Sequence, residues 1–86
     1  MTEIRKKVLK EYFEKILSGK KNFEVRIADF ECKEGDVLIL EEIDDKRNYT
    51  GRKIEKKVKY IAKTKNFNFF KQEDVDKYGF QVIGFD

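Results

Sequence analysis

Lys21, Glu24 and Arg26 fall within one short run, GKKNFEVR from Gly19 to Arg26, and their types suit a shared task. A guanidinium is a planar fork that binds phosphate through two hydrogen bonds, and an ammonium is a compact charge for a phosphate or a base carbonyl. A carboxylate accepts from an exocyclic amine, as from cytosine N4. On a strand, Glu24 and Arg26 share a face with Cα atoms about 6.5–7 Å apart. In a half-buried cleft, Glu24 would also hold Lys21 and Arg26 in place as a preorganised network. The plainer reading is a solvated face whose charges pair with one another, contributing ~0–1 kcal/mol. Lysine and glutamate can also serve as a catalytic acid–base couple. For Lys21 that requires a pKa lowered from ~10.4 toward neutrality, and while Lys20 and Arg26 push it down, Glu24 pushes it back.

Much other chemistry is absent. The chain has no histidine, which removes histidine-based zinc sites and Ser–His triads. Its one cysteine, Cys32, has no internal partner for a disulfide and no histidine to activate it as a nucleophile. The sequence calls for no metal and no cofactor. It contains no signal peptide and no long apolar run, so the expectation is a soluble, cytoplasmic protein that does not enter a membrane.

The elements that must position these residues follow from periodicity. EIRKKV, residues 3–8, reads as a strand with Ile4, Lys6 and Val8 on one side. From Lys10 to Ser18 the spacing becomes helical, with Leu9, Tyr12, Phe13, Ile16 and Leu17 on one face. Gly19 stands where a left-handed residue ends a helix, so Lys20 and Lys21 lie on a tight helix-to-strand turn. NFEVRI is the next strand, and its alternation assigns Phe23, Val25 and Ile27 to the core. DVLILEEI is apolar on both faces and therefore central. DDKRNYTG, residues 44–51, is rich in turn formers. RKIEKKVKYIA follows as a long strand with Ile54, Val58 and Tyr60 inward. KTKNFNFF reads as a further strand with Phe67 and Phe69 facing the core, KQEDVDKY as a helical turn, and GFQVIGF as a closing strand.

At 86 residues the chain is a single domain spanning 1–86, mostly β within the α+β class. Five to six short strands in so small a chain are best shielded from edge pairing by curling into a barrel, with one helix after the first strand. The net charge of +3 conceals segregation. From Arg52 to Lys65 seven cations face the lone acid Glu55, whereas acids gather at 41–45 and 73–76. One basic side favours an anionic partner. Lysines 53, 57, 59 and 63 lie on the outer face of the long strand, either as a solvated, edge-guarding face or as a phosphate-tracking one. Tyr49 suits stacking on a base or packing of its loop. Arg52 is the loop cation expected nearest the cleft. The three aromatics Phe67, Phe69 and Phe70 leave a monomer or a weak dimer open, with no protein partner indicated.

Gly19, Lys21, Glu24 and Arg26 match the GxKxxExR pattern, and together with EYFEKILSG, EGDVLIL, YTGR and VKYI the chain resembles a small branch of the ASCH domain superfamily. The resemblance spans nearly the whole chain in the expected order. It implies a PUA-like β-barrel whose cleft, beside the helix and the motif strand, binds RNA or a nucleotide-like ligand. Some relatives remove an acyl group from modified cytidine, using a threonine where this chain has Glu24, assisted by the lysine that matches Lys21. The expectation is an RNA- or nucleotide-binding module in which Lys20, Lys21, Glu24, Arg26, Tyr49 and Arg52 contact the ligand. The alternative is a small amidohydrolase acting on an acylated cytidine nucleoside, with Lys21 and Glu24 as its acid–base pair.

Overall fold

A computed structural model describes residues 2–63, 71–77 and 79–86. The chain runs β1 (Glu3–Leu9), α1 (Lys10–Leu17), β2 (Phe23–Ile27), β3 (Val37–Ile43), β4 (Tyr49–Lys63), α2 (Gln72–Lys77) and β5 (Phe80–Phe85). The strands form a sheet in the order β1-β3-β4-β5-β2. β3 is an interior strand, between the edge strand β1 and the central β4, and its two-sided apolar pattern fits that place, with Leu38, Ile39 and Leu40 all buried. It pairs in parallel with β1 and antiparallel with β4. The long β4 serves two neighbours in turn. Its first half pairs with β3 and its second half, from Val58, with β5, which in turn holds β2.

The sheet is open. Its edges are β1 and β2, and no backbone ladder joins them among the described residues, so the expected closed barrel does not form. Charge supplies a physical reason. β1 brings Arg5, Lys6 and Lys7 to one edge, and Lys21 and Arg26 lie at the other. Zipping the edges together would strip water from these cations with Glu24 as their partner. Charged side chains on an edge are also a standard defence against unwanted strand pairing, which removes the need for closure.

The core lies between the sheet and α1, built from Val8, Phe13, Ile16, Leu38, Leu40, Val58, Ile83 and Phe85. Cys32 joins it as a small apolar group, and burial pushes its thiol pKa up, away from nucleophilic use. Three sequence expectations about facing are corrected. On α1 only Phe13 and Ile16 are buried, while Leu9, Tyr12 and Leu17 are exposed. The helix is 8 residues long and meets the sheet along a narrow stripe. On β4, Tyr60 points outward because the β4–β5 register shifts between Val58 and Tyr60, and a one-residue slip reverses every later side chain. β2 is inverted altogether: Phe23, Val25 and Ile27 are 41%, 53% and 48% exposed, whereas Glu24 is 5% exposed. The segment that carries Phe67, Phe69 and Phe70 lies outside the described residues, and α2 falls where the helical turn was expected.

Candidate functional site

The inversion of β2 makes the site. Gly19 closes α1 at φ +84°, a left-handed conformation that side chains rarely adopt. Its N–H donates to the Ile16 carbonyl at 3.1 Å, and the Lys21 N–H donates to the Lys15 carbonyl at 3.0 Å. The backbone of Lys21 is thereby tied to the helix end, which aims its side chain over the start of β2. Lys21 Nζ donates to Glu24 Oε1 at 2.6 Å and to the Phe23 carbonyl at 2.9 Å. Arg26 Nε donates to Glu24 Oε2 at 3.0 Å. Both carboxylate oxygens of the buried Glu24 thus hold a cation, and the acid fixes both donors. The anticipated convergence of 21, 24 and 26 is present, with Glu24 as the anchor.

Arg26 reaches further. Its Nη2 donates to the Lys7 carbonyl across the gap, linking the two edges of the sheet by one side chain. Above this link lies a cleft of about 770 Å³ between β1 and β2, within the range of small-molecule sites. Six of its lining residues are cations, Arg5, Lys6, Lys7, Lys21, Arg26 and Arg47, and its one acid is Glu24. With that acid already paired twice, the cleft carries a strong excess of positive charge. Tyr12 adds an aromatic ring to the lining, 41% exposed, with Lys21 Nζ 5.6 Å from the ring centroid.

The remaining expected residues are placed differently. Lys20 is exposed on the turn and does not line the cleft. Tyr49 is exposed and adjoins the site through Lys7, whose Nζ lies 5.4 Å from its ring centroid. Arg52 also lies outside the lining. Its guanidinium donates to Glu42 through Nε at 3.0 Å and Nη2 at 2.6 Å, and Nη2 also reaches Glu14. It sits over the Phe13 ring, 5.0 Å from the centroid. Glu42 is 2% exposed, and the bonds from Arg52 and Thr50 hold its pKa down to about 2. Arg52 is therefore a strut that clamps α1 to β3 and β4. Sequence reasoning does not single out Arg5, Lys6, Lys7, Tyr12 or Arg47 for the site. Cations 5 and 7 were visible as the outer face of the first strand, yet nothing local marked that strand as a sheet edge opposite β2. The helical spacing of Tyr12 assigns it to the core.

Among the described residues no group of three or more His, Cys, Asp or Glu side chains is placed to hold a metal ion. No described helix is long and apolar enough to cross a membrane. Among curated proteins, none matches the chain. The chain is similar to the crystal structure of hypothetical protein PH0355, at 23% sequence identity, over 99% of this chain and 98% of that one, with a TM-score of 0.69. At that identity the likeness speaks for the fold alone. A family described as a domain of unknown function, DUF3850, matches residues 5–82. That match takes in both edges of the sheet and the whole lining of the cleft, and the chain belongs to the DUF3850 family.

Proposed function

We propose that this protein is an RNA- or nucleotide-binding module, and that its ligand enters the cleft between β1 and β2. The observation that carries the reading is the lining itself: six cations, a single carboxylate already bonded to two of them, and an exposed aromatic ring. A polyanion with planar bases answers both features, because phosphates neutralise the cations and a base stacks on Tyr12. Preorganisation strengthens the case. Glu24 fixes Lys21 and Arg26 before any ligand arrives, so little side-chain entropy is lost on binding. Arg26 keeps its second terminal nitrogen without a bond among the described residues, a fork half-used and available to a phosphate. The GxKxxExR resemblance to the ASCH superfamily, and through it to PUA-like RNA-binding folds, supports the same reading. A cytoplasmic location fits an RNA ligand.

Arg26→Ala is expected to weaken binding of a short single-stranded RNA ten- to hundredfold, the range of a lost charge-assisted hydrogen bond. Lys77→Ala, on the acidic C-terminal side of the chain, is expected to change it less than twofold. Equal losses in the two variants, read by fluorescence anisotropy, would place the ligand elsewhere.

A second reading, an amidohydrolase acting on acylated cytidine, has one observation in its favour. Lys21 Nζ and Glu24 Oε1 are 2.6 Å apart, the contact that an acid–base pair needs. Against it, Lys21 Nζ is already engaged by a carboxylate and a carbonyl, so it holds the site together rather than facing an open substrate position. Release of acid from N4-acetylcytidine that disappears in Lys21→Ala would put this reading first.

A further inference from the structure

Arg47 stands apart from the other cations of the cleft. It lies in the loop between β3 and β4 and adopts φ +67°, the left-handed region that costs a long side chain energy and that glycine or asparagine occupies more readily. The turn that holds it there is built on Asp44. The Asp44 carboxylate accepts from the N–H groups of Lys46 and Asn48 at 2.9 Å each, and the Asp44 carbonyl accepts from the Arg47 N–H at 2.9 Å. Asn48 is the next residue, so a side chain suited to the strained position lies one step away while arginine occupies it. Arg47 has no carboxylate partner among the described residues, and its side chain lines the cleft. Backbone strain, a rigid turn, an unpaired guanidinium and a cationic cleft meet in one residue. Such strain persists where the surrounding structure imposes it, commonly at ligand clamps.

We infer that Arg47 is a second phosphate clamp, held by the Asp44 turn at the lip of the cleft so that ligand phosphate is gripped between its guanidinium and that of Arg26. The inference rests on the binding reading above and adds a residue and a geometry to it. The two arginines approach from different parts of the sheet, Arg26 from an edge strand and Arg47 from a hairpin loop. The Arg47 fork can take two phosphate oxygens and the remaining terminal nitrogen of Arg26 a further one, so the pair orients the group as well as attracting it.

The test compares wild type, Arg26→Ala, Arg47→Gly and Arg47→Lys. Binding of a fluorescein-labelled, mixed-sequence RNA octamer is followed by anisotropy, with cytidine 5′-monophosphate as competitor, and each melting temperature is recorded. Arg47→Gly is expected to bind at least fivefold more weakly, with a log–log salt slope shallower by about 0.7, as for one lost phosphate contact on a single strand. Its melting temperature should equal or exceed that of wild type, because glycine takes the left-handed conformation without strain. Arg47→Lys should recover only part of the affinity, since it keeps the charge and loses the fork. Displacement of the octamer by the mononucleotide would assign the clamp to a free nucleotide, and failure to displace it to a strand. If Arg26→Ala loses affinity while Arg47→Gly stays within twofold of wild type, Arg47 is a turn residue only, and the clamp is overturned with the binding reading intact. If the wild type binds neither octamer nor mononucleotide, both fall together.

Discussion

Glu24 decides what its two neighbours are able to do. A carboxylate buried at 5% exposure would be costly alone, and it is offset by an ammonium on one oxygen and a guanidinium on the other. The arrangement turns three charged residues into one rigid donor array with a net positive face. Across the ladder from Arg26 sits Gln81, fully buried, with neither side-chain nitrogen nor oxygen hydrogen-bonded among the described residues. An orphaned buried amide carries a desolvation cost that an apolar isostere does not. Gln81→Met is therefore expected to raise stability by about 1–2 kcal/mol in urea unfolding, and a loss of stability would show that the amide has a partner of consequence. At this scale the sequence was partly legible. GKKNFEVR marked Lys21, Glu24 and Arg26 through their types and spacing. The same alternation assigned Phe23, Val25 and Ile27 to the core, because period two says which residues share a face and not which face is inside.

At the scale of elements, α1 is the piece that needs most help. It is 8 residues long, too short to persist by propensity, and it buries only Phe13 and Ile16. Arg52 makes up the deficit by bonding Glu14 on α1 and Glu42 on β3 together. Because Lys21 hangs from the C-terminal end of α1, this strut also keeps the site in register. The strut has a pH signature. Glu42 titrates near 2 in the folded protein and near 4.5 when unfolded, so its contribution to stability is complete above pH 4.5 and is lost as pH falls toward 2. Asp36, whose pKa is lowered by the N–H groups of Lys33 and Thr2, acts in the same direction. Melting temperature is expected to be level from pH 7 to about 5 and to fall steeply below 4.5, with a smaller fall in Glu42→Gln. A melting temperature that stays level down to pH 3 would contradict the strut. Arg52 was legible in the sequence as a loop cation and no more. Its partner Glu42 lies ten residues back, one of two adjacent glutamates in a mainly apolar strand, a cross-strand contact with no local mark.

For the whole molecule, the number of described strands, the single helix after the first and the short one near the end followed from periodicity and turn residues. The order β1-β3-β4-β5-β2 did not, since parallel pairing of β1 with β3 and the placement of β5 between β4 and β2 are long-range events. Closure into a barrel was expected as the remedy for exposed edges. The protein instead leaves the edges apart and lines the gap with cations, so the feature that guards the sheet is also the one to which the binding proposal assigns the ligand. Phe23, Val25 and Ile27 on β2 remain exposed, Val25 among the residues that line the cleft and the Phe23 ring centroid 5.1 Å from Lys21 Nζ. The cleft lining carries six cations against one acid, and steering of an anion toward it should weaken as salt screens the field. The most direct test is the salt dependence of affinity for a single-stranded RNA octamer between 50 and 300 mM potassium chloride. Contact with about four phosphates predicts a log–log slope near −3. A slope near zero, in a protein that still melts cooperatively, would contradict the claim that this cleft binds a nucleic acid through its cations.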